Sequence, residues 1–246
     1  VDALFDHNVR VVPLTDSLGR CVALAWPHQN NFVVGGRRIG TRDPCFLIAE
    51  IGINHNGSLD LAYKMIDAAV ESGADCVKFQ MRDLSSLYSN AGNAGDHRED
   101  LGSQYTLDLL SRFQLSADEM FLALDRCSDR GVIPLVTPWD VVSMNHLEDY
   151  GVTAYKTASA EFTNHPFLRS LARTGKPLIC STGMTSEAEI RESVGLLIDA
   201  GCQFALLHCN STYPAPFKDV NLRYMETLRE IGGCPTGYSS HDRGIN

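Results

Sequence analysis

The stretch Phe46-Leu-Ile-Ala-Glu-Ile-Gly-Ile-Asn-His-Asn-Gly57 decides how the chain is expected to fold. Its first half, residues 46–51, is mostly apolar and lies between Pro44 and Gly52, which predicts a strand buried on both faces. Glu50 interrupts this run near its carboxyl end, and a buried carboxylate needs a partner, a ligand or water. A polar, glycine-containing turn follows and leads into a helix. This succession is the unit of an α/β barrel or a doubly wound sheet, in which the chemistry lies at the carboxyl ends of the strands.

Apolar runs alternate with helical patterns along the rest of the chain. They predict seven strands, at residues 46–51, 76–80, 132–138, 154–159, 178–182, 204–209 and 235–239. The first helix is predicted at 59–72 with Ser58 as its cap, and Ser116 with Glu119 predicts a capping box at the start of another. Seven strands with crossover helices are one short of a (β/α)8 TIM barrel, so we predict an α/β fold of this class, truncated before strand 8. An open doubly wound sheet is the alternative, although no G-x-G-x-x-G motif follows any strand.

Two β-hairpins are predicted ahead of the first barrel strand. Residues 1–30 form an N-terminal extension with strands at 9–14 and 21–26, which is either a simple extension or, by its pattern, the end of a CBS-like module. Residues 31–40 form a second hairpin with a Gly35-Gly36 turn, and its position predicts a plug at the barrel floor. We therefore divide the chain into the extension at 1–30 and a barrel domain at 31–246.

Composition and charge exclude several classes of function. The net charge of the 246 residues is −9, which argues against nucleic-acid binding because that needs a basic face. We expect no membrane partner, since no apolar run reaches about 18 residues, and no signal peptide. The 8 cysteines contain no C-x-x-C pair, and we interpret them as reduced residues of a cytoplasmic protein. The long polar stretch over residues 82–104 is expected to be an active-site flap or a disordered loop.

Every predicted strand carries polar residues at its carboxyl end. They are Glu50, Lys78, Gln80, Thr137, Lys156, Ser159, Ser181, Thr182, residues 210–213 and residues 239–242. Two lysines among several hydroxyl groups predict a site for a small phosphorylated or carboxylated molecule. The lysines could instead pair with Glu50 and Glu161, or one of them could form a Schiff base. Of the histidines, His208 is predicted to be a core residue and His55 to organise its turn, whereas His241 is a candidate metal ligand.

Seven sequence segments stand in order at characteristic intervals. They are AEIGINHNG (49–57), GADCVKFQ (73–80), AYKTASAE (154–161), TGKPLICSTGM (174–184), LHCNSTYP (207–214), DVNLR (219–223) and GYSSH (237–241). With these segments the chain, from about residue 39 to residue 244, resembles the sialic acid synthases and the bacterial relatives that make legionaminic and pseudaminic acids.

The resemblance implies a reaction and a set of site residues. The reaction is condensation of phosphoenolpyruvate (PEP) with the open-chain aldehyde of an N-acylated amino sugar, N-acetylmannosamine or a diacetamido-hexose, to a nonulosonic acid with release of phosphate by C–O cleavage. PEP-binding positions fall on Lys78, Thr137, Lys156, Ser159, Ser181 and Ser239. Sugar-contacting positions fall on Glu50, Gln80, Tyr213 and Ser211, the last being Asn in many relatives. The resemblance makes Glu161 the carboxylate that handles the attacking water, and His241 one of two histidines that hold Mn²⁺ or Mg²⁺ as a Lewis acid.

The resemblance also implies parts that this sequence does not contain. The family carries its second metal histidine after strand 8 and has a C-terminal antifreeze-like domain that reaches into the site of a homodimer partner. We therefore expect the sequence to be a fragment of a longer protein. Ser240 and Asp242 depart from the commoner Ser-Asp-His-Thr order. A Schiff-base pyruvate aldolase and a non-catalytic ligand-binding barrel remain the alternative functions.

Overall fold

The computed structural model describes residues 12–15, 21–25, 32–40, 42–87 and 110–243. Its strands are β1 (Val12–Thr15), β2 (Cys21–Ala25), β3 (Val33–Val34), β4 (Arg37–Arg38), β5 (Ile48–Gly52), β6 (Cys76–Met81), β7 (Ile133–Pro138), β8 (Tyr155–Thr157), β9 (Leu178–Ser181), β10 (Phe204–Cys209) and β11 (Thr236–Ser239). Its helices are α1 (Leu59–Glu71), α2 (Leu84–Leu87), α3 (Ala117–Asp129), α4 (Val141–Tyr150), α5 (His165–Arg173), α6 (Glu187–Asp199) and α7 (Tyr224–Gly232).

The seven strands from β5 to β11 form one parallel sheet in the order of the chain. Each pairs in parallel with its neighbour along the sequence. The predicted barrel topology is therefore confirmed, and the doubly wound alternative is wrong, because an open sheet of that class changes direction at a switch point. Opposite edges also approach each other, since Ile48 of β5 and Gly237 of β11 line the same cleft.

Two strand predictions need correction. β5 is not buried on both faces: the side chain of Glu50 is 55% exposed, because β5 lies at one end of the described sheet and has a strand on one side only. The fourth barrel strand covers only Tyr155–Thr157, and Ser159 begins a short 3₁₀ helix, Ser159–Glu161, instead of ending the strand.

Helix caps appear where the sequence places them. The Ser58 side chain accepts a hydrogen bond from the backbone N–H of Leu61 at the start of α1. Ser116 and Glu119 form the predicted capping box of α3, in which each side chain binds the backbone N–H of the other. These caps fix where the helices begin, and so where the loops that leave the strand ends must turn.

The sheet has an apolar inner face and an apolar outer face. Alternate residues of a strand point to opposite faces. The outer residues, such as Phe79, Tyr155 and Phe204, are buried with the helices in the larger hydrophobic cluster. The inner residues of the smaller cluster come from five strands or the residues before them: Cys76, Leu135, Ala154, Ile179 and Ala205. They lie toward the amino ends of the strands, so the inner face is apolar only in its lower half.

The β3–β4 hairpin closes the lower end of the barrel, as the sequence predicts. Phe32 and Val34 are buried in the inner cluster. Gly35 and Gly36 form the turn with φ of +54° and +81°, a region that side-chain-bearing residues rarely occupy. The hairpin covers the lower end of the barrel beside the cleft lined by Ile48 and Gly237, and the carboxyl ends of the strands lie at the opposite end.

Some predictions fall partly or wholly outside this description. β1 and β2 pair as the predicted antiparallel hairpin, while the division at residue 30 and the CBS-like origin stay predictions. Most of the predicted flap, residues 88–104, lies outside the described residues. No helix in the described ranges is long and apolar enough to cross a membrane.

Candidate active site

Six of the polar residues predicted at the strand ends lie on the inner face of the sheet. Each stands two residues, or one alternation, after an inner residue of the apolar lower half. The pairs are Ile48 and Glu50, Cys76 and Lys78, Leu135 and Thr137, Ala154 and Lys156, Ile179 and Ser181, and Gly237 and Ser239. The same strands therefore supply an apolar floor and a polar mouth. Five strands of a parallel sheet and the end of β11 bring these groups to one side of the molecule.

Lys78 is buried and forms an ion pair with Glu50. Its Nζ lies 2.5 Å from Glu50 Oε2, and its side chain is only 7% exposed. Burial lowers the pKa of Lys78, and the adjacent Glu50 carboxylate opposes this change. The predicted alternative, in which this lysine pairs with Glu50, is therefore what the structure shows. An ion pair at the rim can open toward an anionic ligand, because Glu50 is accessible to solvent.

Lys156 is fixed on the inner face by two oxygen atoms. Its Nζ donates to the backbone oxygen of Thr157 at 2.8 Å and to Ser181 Oγ. Burial and the positive charge of Lys78 lower the pKa of Lys156 to about 8. A lysine ammonium has three donors, so one N–H remains for a ligand. Because Ser181 accepts from Lys156, its own hydroxyl proton is available to donate.

Three other predicted hydroxyl groups belong to Thr137, Ser159 and Ser239, at or just after the ends of their strands. Thr137 is buried, and its Oγ1 has no hydrogen-bond partner within the described ranges. Ser159 Oγ accepts from the backbone N–H of Gly183 at 3.1 Å, which ties the loop after β8 to the loop after β9. Ser239 ends β11 opposite Cys209 of β10. A buried hydroxyl without a partner is costly, so Thr137 is suited to receive a ligand atom.

His241 and Tyr213 form a second polar group at the mouth. His241 Nδ1 lies 2.7 Å from the backbone oxygen of Asn210, so Nδ1 carries a proton and donates it. The lone pair is then on Nε2, which lies 3.0 Å from the hydroxyl of Tyr213. This tautomer gives His241 the free nitrogen that a metal ligand needs. However, no cluster of three His, Cys, Asp or Glu side chains suited to a metal occurs in the described part of the chain.

Ser211 packs against the loop after β9. A Cβ atom on Gly183 would lie 2.7 Å from Ser211 Oγ and 2.7 Å from the backbone oxygen of Cys209. The loops after β9 and β10 therefore approach so closely that only glycine fits at position 183.

Tyr213 is 74% exposed, yet Glu50 from the opposite edge contributes to raising its pKa, after the larger effect of desolvation. The two edges of the sheet thus face one mouth.

Glu161 stands apart from this group. Its Oε2 accepts from Asn164 Nδ2 at 2.7 Å, within its own loop. In the described ranges, Lys156 forms no ion pair with Glu161, so that predicted alternative is wrong for this lysine. Glu161 ends the same short 3₁₀ helix that Ser159 begins, so the loop after β8 carries both predicted site residues.

His208 and His55, the other two histidines given a role above, have structural roles, as the sequence predicts. His208 is buried, and its Nε2 lies 2.6 Å from the backbone oxygen of Val220. His55 is fully buried, and its Nδ1 accepts from the backbone N–H of Gly57 at 3.2 Å. Burial lowers the pKa of His55. The seven cysteines whose side chains are described are free thiols.

Sequence reasoning assigned no individual role to two side chains at the mouth, Arg82, the first residue of the predicted flap, and Trp139. The Arg82 guanidinium lies 4.2 Å from the ring centroid of Trp139, and its Nη2 donates to Gln80 Oε1 at 2.5 Å. A signal for them existed, because each stands two residues after a predicted site residue, Gln80 or Thr137. Both residues lie beyond the ends of the predicted strands, so the strand pattern does not point to them.

Comparison with known proteins supports one family. Residues 65–246 match the model of the NeuB family. The chain is 36% identical over 208 residues to the N,N'-diacetyllegionaminic acid synthase of Campylobacter jejuni, covering 81% of this chain and 61% of that protein. It is 32% identical over 224 residues to the human N-acetylneuraminate-9-phosphate synthase, covering 85% of this chain and 59% of that protein. The chain therefore spans less than two thirds of the length of these curated relatives.

A solved structure supports the same relationship. The N-acetylneuraminic acid (sialic acid) synthetase of Leptospira borgpetersenii serovar Hardjo-bovis, in complex with citrate, superposes with a TM-score of 0.78 at 33% identity. The match covers 87% of this chain and 71% of that chain.

Proposed function

This chain belongs to the NeuB family, and from that premise we propose that the natural protein carrying it condenses PEP with the open-chain aldehyde of an N-acylated amino sugar. The observation that best supports this proposal is the pair of buried lysines, Lys78 and Lys156, on the inner face at the carboxyl ends of β6 and β8, which flank β7. Two cations there, with the hydroxyls of Thr137 and Ser181, suit a small ligand that carries a phosphate and a carboxylate.

In the proposed reaction one carbon–carbon bond forms and one carbon–oxygen bond breaks. C3 of PEP attacks the aldehyde carbon of the sugar, and the aldehyde oxygen takes up a proton. A water oxygen bonds to C2 of PEP, and the C2–O bond to the phosphate then breaks to give the 2-keto acid and inorganic phosphate. Lys78 and Lys156, with Thr137, Ser159, Ser181 and Ser239, would hold PEP in place by charge and hydrogen bonds.

The sugar would bind at the outer rim of the same mouth. Glu50, Gln80 and Tyr213, with Ser211, offer hydrogen-bond acceptors and donors that fit hydroxyl and acylamino groups. Glu161 would accept a proton from the attacking water. Asn164 donates to its Oε2, which orients the carboxylate within the loop after β8.

A phosphate-release assay tests the proposal. We expect phosphate only when PEP and a sugar from a panel of N-acetylmannosamine and diacetamido-hexoses are both present. Lys156→Met should reduce kcat/KM about 100- to 1000-fold, because a positioned charge is lost. Lys64→Met, which removes an exposed lysine of α1, should leave it unchanged. If the wild type released no phosphate with any sugar of the panel, the proposed reaction would be contradicted.

A divalent metal, Mn²⁺ or Mg²⁺, is proposed with His241 Nε2 as one ligand. The tautomer fits, but a site of three protein ligands is not formed by the described residues, so no reaction step is assigned to the metal. Binding of Mn²⁺, followed by electron paramagnetic resonance in the absence of substrate, should weaken at least tenfold in His241→Ala. Equal Mn²⁺ affinity in both proteins would remove His241 from the proposed ligand set.

A Schiff-base aldolase is the second candidate, because the pKa of Lys156, about 8, leaves part of its amine neutral near pH 7.5. Borohydride should then trap pyruvate on Lys156, and mass spectrometry would identify the modified peptide. We expect no trapping, because the proposed PEP site uses Lys156 in its charged form, and a lysine ammonium is not a nucleophile.

A homodimer and a cytoplasmic location are further predictions from the resemblance and the cysteine content. Sedimentation of the natural protein checks the first.

A further inference from the structure

The loops after β6 and β7 hold Arg82 in a fixed position at the mouth of the barrel. The backbone N–H of Trp139 donates to the oxygen of Met81 at 3.1 Å, which continues the ladder between the two strands by one residue. On the other side, the backbone N–H of Asp83 donates to Asp140 Oδ2 at 2.8 Å. Both chain neighbours of Arg82 are therefore anchored. Asp140 is itself buried and caps α4 by accepting from Ser143, so the anchor is rigid.

The side chain of Arg82 is placed as firmly as its backbone. Its guanidinium stacks over the Trp139 ring at 4.2 Å from the centroid, and its Nη2 donates to Gln80 Oε1 at 2.5 Å. A planar guanidinium on an aromatic ring loses little freedom when it also forms a hydrogen bond. Arg82 thus joins the end of β6 to the residue that follows β7.

This contact decides which way the carboxamide of Gln80 points. A guanidinium has only donors, so the atom that faces it must be the amide oxygen. The amide nitrogen then points away from Arg82. A Cβ atom on Gly52 would lie 3.4 Å from Gln80 Nε2 and 2.9 Å from Glu50 Oε1, so this nitrogen and the Glu50 carboxylate border the same space. One side of that space donates hydrogen bonds and the other accepts them.

We propose that Arg82 is a positioning residue, which fixes Gln80 so that its Nε2 and the carboxylate of Glu50 together select the acceptor sugar. The inference rests on the proposed function, because it takes Gln80 and Glu50 to contact the sugar. A donor beside an acceptor fits a ligand group that has both, such as a hydroxyl or an N-acyl amide. Without Arg82 the amide oxygen loses its donor and the carboxamide can turn over, so that a sugar group would meet two acceptors in place of a donor and an acceptor.

A double-mutant cycle separates this role from direct contact with PEP. The variants are Arg82→Met, which keeps much of the stem over Trp139, Gln80→Ala and the combination of both. They are measured by phosphate release in the natural protein, with the panel sugar that gives the fastest wild-type rate. We expect Arg82→Met and Gln80→Ala each to raise KM for the sugar about tenfold, and the combination to raise it no more than about twofold beyond Gln80→Ala alone. KM for PEP should change less than about twofold.

Two further variants control for charge and folding. Arg173→Ala removes an exposed arginine at the end of α5 and should change neither KM. Arg82→Lys keeps the charge and a donor, and its KM for the sugar should lie between those of the wild type and Arg82→Met. Additive effects in the double variant, or a rise in KM for PEP alone, would overturn the inference while the wild-type activity stands. A wild type that releases no phosphate with any sugar would instead remove the proposed function, and the inference with it.

Discussion

Lys156 shows at the scale of one residue how burial prepares a binding site. An ammonium group that leaves water keeps its charge only if other groups replace the lost hydration. Here two oxygens do so, those of Thr157 and Ser181, and the pKa is still lowered to about 8. An anionic ligand beside Lys156 would favour its charged form and raise the pKa again. Binding of PEP is therefore expected to be linked to the protonation of this lysine.

The affinity for PEP should fall as the pH rises from 7 to 9. Across this range a phosphate ester is already ionised, so the change reports on the protein. One unit above a pKa of about 8, roughly a tenth of Lys156 is charged, and Kd should rise about tenfold. Titration calorimetry measures this. In Lys156→Met, binding should be weak at every pH and nearly independent of pH. A wild-type Kd that stays constant to pH 9 would show that Lys156 does not serve PEP.

At the scale of the elements, the β3–β4 hairpin is the part that makes the lower half of the barrel a closed floor. Its two turn glycines are alike in backbone conformation but not in surroundings. A Cβ atom on Gly35 would lie 2.8 Å from Ile133 Cγ2, whereas a Cβ atom on Gly36 would meet nothing within 4 Å. The pair therefore separates the cost of the backbone conformation from the cost of the packing.

Gly35→Ala should destabilise the protein more than Gly36→Ala. Both changes force a side chain into a left-handed backbone conformation, which costs about 1 kcal/mol. Only Gly35→Ala also pushes into Ile133, which adds about 1–3 kcal/mol because a β-branched side chain in a packed strand moves little. Urea unfolding of both variants measures the difference. Equal free energies of unfolding would mean that the hairpin does not pack on β7 as described.

The elements also show what a sequence can and cannot predict. The strand at 204–209 is predicted to the residue, because its apolar run, broken only by His208, is enough to mark a buried strand. β8 is shorter than predicted because it ends where its pairing with β9 ends, at Thr157 opposite Cys180. Lys78 and Lys156 were found from position alone. The contact of Arg82 with Gln80 was not, because it depends on how two loops continue the pairing of β6 with β7.

At the scale of the whole molecule, a protein of net charge −9 carries two buried lysines at the open end of its barrel. The general field of such a chain repels an anion, so local groups must provide the attraction. The sheet arranges this by alternation: the inner face is apolar near the floor, where Phe32 seals it, and polar near the mouth. The polar groups that suit an anion therefore lie at one end of the barrel.

A crystal structure of the natural protein with PEP bound tests the central claim most directly. We predict that the phosphate and carboxylate oxygens of PEP lie within about 3.2 Å of Lys78 Nζ, Lys156 Nζ and Ser181 Oγ, with the ion pair between Lys78 and Glu50 loosened. PEP found elsewhere, for example in the cleft lined by Phe32 and Ile179, with both lysines bound as they are now, would contradict the account.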